Sequence, residues 1–147
     1  MLKVLLVEDN KLMRMATDRA LTKAGFRVIN AHDGEEALEL ARRVEPAAVI
    51  LDMMLPKVTG PQVLRQLKHH VLTARIPVLV LTGLSQKNEA RLLEDGAAAF
   101  LGKNTIVHDP ELLLSTLRQI IRESGVTVEA PAFVERKSTL PFSVSRG

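Results

Sequence analysis

Apolar residues along the chain form short, nearly unbroken runs that alternate with longer stretches of helical spacing. Residues 3–7 are a compact aliphatic run that stops at Glu8–Asp9. Asn10 then suits a helix N-cap. Leu12, Met13, Met15, Ala16, Ala20, Leu21 and Ala24 recur at helical intervals up to Gly25, which marks a stop. Residues 26–31 predict a second strand. Asp33–Gly34 opens a second helix through Ala37, Leu38, Leu40, Ala41 and Val44, ended near Pro46. Residues 47–51 predict a third strand ending at Asp52. Residues 53–60 contain Pro56 and read as a loop, and 61–70 read as a helix.

A fourth strand is predicted over 76–81. Ser85 can cap a fourth helix through Arg91, Leu92 and Leu93 that stops near Gly96. A fifth strand follows over 97–101. Asp109 as cap, Pro110 in the first turn and Glu111 behind it start a fifth helix through Ser124, with Gly125 as its stop. Five strand–helix units with aliphatic strands imply an α/β fold: a five-stranded parallel sheet, doubly wound, with helices on both faces. The functional crevice of such a sheet lies beyond the C-terminal ends of its strands. Residues 1–124 are expected to form this domain. Residues 125–147 break the pattern with Pro131, Pro141 and several Ser and Thr, and read as a flexible tail or linker.

Composition narrows the picture. A chain of 147 residues suits one domain that buries roughly 70% of its unfolded surface. It has no Cys, which excludes disulfides and thiolate chemistry. No signal-peptide pattern and no apolar run near the ~20 residues of a membrane span is visible, so a cytoplasmic protein is expected. The net charge is +3, yet up to Ser124 there are 17 Lys/Arg against 15 Asp/Glu. With neither a basic stripe nor an aromatic platform, no nucleic-acid partner is expected.

The chemistry stands at the strand ends. The first strand finishes in Glu8–Asp9, the third in Asp52, the fourth in Thr82, and Lys103 lies one Gly beyond the fifth. Three carboxylates brought together raise one another's pKa, and a hard divalent cation such as Mg²⁺ removes the conflict. A lysine is a point charge suited to phosphate oxygens. The set matches metal-assisted phosphoryl transfer, in which positioning and charge neutralisation dominate.

Val7-Glu8-Asp9-Asn10, Asp52-Met53-Met54-Leu55-Pro56 with Gly60, Leu81-Thr82-Gly83 and Phe100-Leu101-Gly102-Lys103 resemble the receiver domain of two-component response regulators, over about residues 2–124. The resemblance implies a flavodoxin-like (βα)5 fold of the stand-alone chemotaxis-regulator type. It casts Asp52 as the phosphoacceptor, served by a sensor histidine kinase or a histidine phosphotransfer protein. It also implies that Asp9 and Asp52 ligate Mg²⁺ directly, Glu8 through water, and Met54 through its backbone carbonyl. Thr82 and Lys103 would bind phosphoryl oxygens, and Thr82 with Phe100 would form the switch. The remodelled surface would comprise the fourth helix, fifth strand and fifth helix, open to an effector protein or a second copy. No turnover enzyme is expected, only self-catalysed transfer to Asp52.

Two departures from the family pattern carry consequences. Asn104 follows Lys103 where the family usually has a cis-linked proline. A non-proline cis bond costs ~3 kcal/mol, so a trans bond and an altered loop are expected. Met54 and Leu84, two positions beyond Asp52 and Thr82, are apolar; in the family these sites flank the path of the hydrolytic water, so slow autodephosphorylation is expected.

Other readings are weaker. His69–His70 end a helix, where a cation suits the dipole, rather than forming a metal or phosphocarrier site. His32 and His108 are assigned to loops without a role. Met13, Met15, Met53 and Met54 read as packing groups. Leu112, Leu113, Leu114, Leu117, Ile120 and Ile121 form a stripe wider than one buried face needs, by packing or as an interface. A haloacid-dehalogenase-type phosphatase would want a second Asp where Met54 stands, and its nucleophile usually lies on the first strand. A dinucleotide or flavin site would need a Gly-rich turn instead of Glu8-Asp9-Asn10-Lys11. A receiver cut from a larger regulator is the remaining alternative, with no output-domain pattern in the last 22 residues.

Overall fold

The computed structural model describes residues 1–83 and 89–125, apart from the side chain of Glu89. Five strands, β1 (Lys3–Val7), β2 (Arg27–Ala31), β3 (Ala48–Asp52), β4 (Val78–Thr82) and β5 (Ala99–Gly102), form one parallel sheet in the order β2-β1-β3-β4-β5. The aliphatic density of each strand follows its place in the sheet. Every residue of the inner strands β3 and β4 is buried, whereas the edge strands β2 and β5 are half-buried.

Alternate strand residues feed two cores, because successive side chains point to opposite faces. Leu5, Val7, Val49, Leu51, Val78 and Val80 pack with the apolar stripes of α2 (Gly34–Val44), α3 (Gly60–His69) and α4 (Glu89–Glu94). Val4, Leu6, Ala48, Ile50, Leu79 and Leu81 pack on the other face. Their partners come from α1 (Lys11–Lys23), α5 (Thr105–His108) and α6 (Pro110–Glu123). The helix predicted from Asp109 onward is thus α6, and α5 is a short helix that the apolar pattern did not announce.

The helix starts follow local chemistry. Asn10 accepts from the Met13 amide at 3.0 Å, Asp33 from Glu36 at 2.9 Å and Asp109 from Leu112 at 3.2 Å. Thr59 and Gln62 form a capping box that starts α3 one residue earlier than Pro61. The fourth-helix cap assigned to Ser85 lies outside the described residues. Of the C-terminal stripe, Leu113, Leu114, Leu117, Ile120 and Ile121 are buried, and Leu112 is exposed. Packing therefore explains five of its six members. No described helix is long and apolar enough to cross a membrane.

Candidate functional site

Strand order turns back between β1 and β3: β1 leads outward to β2, while β3 leads the other way to β4. Their C-terminal ends therefore open a crevice between diverging connections. Glu8 and Asp9 follow β1 directly, and Asp52 is the last residue of β3. One carboxylate oxygen from each of Glu8, Asp9 and Asp52 lies within 4.8 Å of the others. Glu8 and Asp52 are almost fully buried, and Asp9 is exposed.

The fifth strand supplies the counter-charge. Lys103 Nζ donates to Asp52 Oδ2 at 2.9 Å and stands 3.3 Å from Glu8 Oε2. The Lys103 amide donates to the Thr82 carbonyl at 3.0 Å, which ties the lysine to the end of β4. Thr82 itself is nearly buried. It sits one residue beyond Leu81, the cross-strand partner of Asp52. All described peptide bonds are trans, including the one before Asn104. The chain passes from Lys103 almost at once into α5, which is the local form of the expected altered loop.

Backbone groups fix the acids. The Met54 amide donates to Asp52 Oδ1 at 3.0 Å, and the Asn10 amide donates to Glu8 Oε2 at 3.1 Å. Arg14 of α1 donates to the Glu8 carbonyl at 3.1 Å, pinning the helix to the strand end. Two glycines hold the loop after β3. A Cβ on Gly60 would come within 2.5 Å of Met53 Cα and 2.7 Å of the Asp52 carbonyl, and one on Gly34 within 2.4 Å of the Val58 carbonyl. Both positions require a residue without a side chain, because backbone occupies the space.

Burial pushes the Glu8 carboxyl up to about 7, with the Asp52 charge adding to the rise; the Asn10 amide and Lys103 pull the other way and lose. Burial opposes the charge of Lys103, but the hydrogen bond and charge of Asp52, then those of Glu8, outweigh it and hold the ammonium above its usual value. Three hard oxygen donors, one of them with its proton affinity raised by burial, form a donor set suited to a divalent cation such as Mg²⁺.

The structure thus brings Glu8, Asp9, Asp52 and Lys103 together, with Thr82 tied to the lysine backbone. Phe100 is half-buried and packs against the α2–α3–α4 core. Leu84 lies outside the described residues. Met53 is buried as expected, but Met15 and Met54 are exposed (48% and 62%) and are not packing groups. Met15 lies on the outer side of α1, and Met54 is carried outward by the loop turning away from the strand. His69 Nδ1 lies 2.7 Å from the Arg65 carbonyl and His70 Nδ1 accepts from the Leu72 amide at 3.1 Å, so both serve the helix end. His108 closes α5 and is not a loop residue. Arg14, Asn10 and Gly34 were not singled out as site supports in the sequence. Asn10 is legible in the sequence as a helix N-cap and Gly34 as part of a helix start, whereas Arg14 carries no such mark.

The family model of the response regulator receiver domain matches residues 4–108. The response regulator MprA of Mycobacterium bovis (strain BCG / Pasteur 1173P2) is 32% identical over 139 residues, covering 94% of this chain and 58% of MprA. The chain thus spans little more than half the length of the curated relatives it matches. Among solved structures, the chemotaxis protein CheY4 of Vibrio cholerae is 30% identical, with a TM-score of 0.74 over 82% of this chain and 98% of that one. The receiver domain of sensor histidine kinase PA1611 from Pseudomonas aeruginosa PAO1 is 28% identical, with the same TM-score and the same coverage. It carries a magnesium ion coordinated in its active-site cleft. With its sheet order, its acid crevice and these matches in agreement, this chain belongs to the response regulator receiver domains of two-component systems.

Proposed function

We propose that Asp52 is the phosphoacceptor of a switch that takes its phosphoryl group from a phosphohistidine on a sensor kinase or phosphotransfer protein. The observation that carries this reading is the Lys103 ammonium 2.9 Å from Asp52, in a crevice that also holds Glu8 and Asp9. In the step, an Asp52 carboxylate oxygen forms a bond to phosphorus as the phosphorus–nitrogen bond breaks, and the imidazole leaves with the bonding pair. Lys103 and Thr82 receive the phosphoryl oxygens. Asp9 and Asp52 would hold Mg²⁺ directly, Glu8 through water, and Met54 through its carbonyl. When bound, the ion supplies neutralisation of the clustered negative charge. The Met54 amide keeps Asp52 oriented.

The reading extends to the surface. Thr82 and Phe100 would carry the change to α4, β5 and α6, which would present an effector site or a homodimer contact. We take residues 1–124 as the receiver and 125–147 as an appended tail or linker. The same switch serves a stand-alone regulator or a receiver joined to an output domain. A phosphatase of the haloacid-dehalogenase type is not favoured, since Met54 occupies the position of its second Asp.

Labelling with acetyl phosphate tests the chemistry. Wild type should be labelled with Mg²⁺ present, whereas Asp52→Ala, or wild type under chelation, should not. Labelling of Asp52→Ala to the wild-type level would overturn the assignment. The phosphorylated form should outlast the seconds scale without a phosphatase, because Met54 cannot orient a water. Its decay within seconds would remove that part of the reading. Hydrodynamic mass with and without a phosphoryl mimic tests the homodimer.

A further inference from the structure

The loop after β3 together with α3 and α4 encloses a groove of about 510 Å³. That size falls in the roughly 300–1,000 Å³ range of small-molecule sites. Its lining is mostly apolar: Met53 and Leu92 are buried, and Leu55 and Pro61 are half-buried. One part of the wall is charged. Arg65 of α3 and Arg91 of α4 both approach the same Asp95 oxygen, at 3.5 Å and 3.6 Å. Strong charge-assisted pairs are shorter, about 2.7–2.9 Å. Neither arginine has another acidic partner among the described residues, so two cations share one carboxylate and a positive charge is left over beside an apolar surface. The two side chains remain 42% and 70% exposed, which leaves their planar donor forks accessible.

We propose that this groove binds a small amphipathic carboxylate, an aryl- or alkyl-substituted acid. Its hydrocarbon part lies on Met53, Leu55 and Leu92, and its carboxylate is received by Arg65 and Arg91. Buried apolar area supplies the attraction, and the excess guanidinium charge selects the acid over a neutral analogue. The Asp95 pair is retained, because each long single contact leaves most N–H groups of both arginines uncommitted. The occupant would touch residues that directly follow Asp52 in the chain, yet binding itself requires no phosphoryl chemistry.

The full chain labelled with ¹³C at its methionine methyls provides the test, with 4-phenylbutyrate and its uncharged amide as probes. The acid should give saturable shifts at Met53 and Met54. It should leave Met13 and Met15 unmoved, since both belong to α1 on the opposite face of the sheet. The amide should bind at least about tenfold more weakly, as expected for a lost charge-assisted hydrogen bond. The doubly substituted Arg65→Gln, Arg91→Gln protein, with its methyl spectrum otherwise unchanged, should lose the same preference. Absence of saturable shifts, equal binding of acid and amide, or an unchanged preference in the double variant would each overturn the proposal. None of these outcomes bears on whether Asp52 is phosphorylated, which the labelling experiment decides separately.

Discussion

Glu8 holds its proton up to about pH 7 in the folded chain, against an ordinary value of 4.5, because it is buried beside Asp52. A raised folded-state pKa means that the associated stability is fully present below about 4.5 and is lost as pH rises towards 7. Without Mg²⁺, unfolding free energy should therefore fall across that window by up to about 3 kcal/mol. Urea midpoints at pH 5 and pH 8 check this, and Glu8→Gln should flatten the difference. Because a bound metal competes with that proton, Mg²⁺ binding at pH 6 should release protons and tighten as pH approaches 7. Calorimetry in two buffers of different ionisation enthalpy measures the release; none at pH 6 would contradict the assignment of Glu8. Lys103→Met removes the counter-charge from two buried acids. It should cost about 1–3 kcal/mol without Mg²⁺, less than for a fully buried pair because the lysine side chain is 27% exposed. Part of that loss should return when Mg²⁺ is added.

Helix α3 supports the backbone of Asp52 without containing it. Its capping box fixes where the helix begins, and Gly60 lets that beginning press on the backbone of Asp52 and Met53. Thr59→Ala should cost about 1 kcal/mol of stability and change acetyl-phosphate labelling little. Gly60→Ala forces backbone to move beside Asp52, so if Asp52 is the phosphoacceptor as proposed, labelling should fall by about tenfold to a hundredfold. Comparable labelling rates in the two variants would remove the positioning role. The capping box is present in the sequence as Thr59-Gly60-Pro61-Gln62, but Pro61 is the stronger local mark of a helix start. Helix α5 was harder to foresee. Its four residues carry no periodic signal, and Asn104 makes no side-chain cap bond; Thr105 and Ile106 are held by burial in the tertiary structure.

Across the whole molecule, the inward-facing residues of one sheet serve two separate cores, and the aliphatic runs made both the sheet and its parallel sense readable. Strand-end positions of Glu8, Asp9, Asp52, Thr82 and Lys103 were readable for the same reason: a parallel sheet gathers the ends of its strands on one side. What the pattern did not show was the support around them: the Arg14 bond depends on how α1 leaves the end of β1, and the close approach of Gly34 to Val58 arises between segments distant in sequence. Leu117, fully buried in the α6 core, should cost about 2–5 kcal/mol when changed to Ala. Leu112, 43% exposed on the same helix, should cost less than about 0.5 kcal/mol. Equal urea midpoints for the two variants would argue that α6 is seated differently.

The polarity of the sheet has a practical use. The turn between α3 and β4 lies at the pole opposite the acids, and Val71 within it is 87% exposed. Since the chain has no native cysteine, Val71→Cys gives a single handle for a fluorophore or a surface tether. Such a reporter could follow assembly in real time while its dye stays a full strand length from the chemistry.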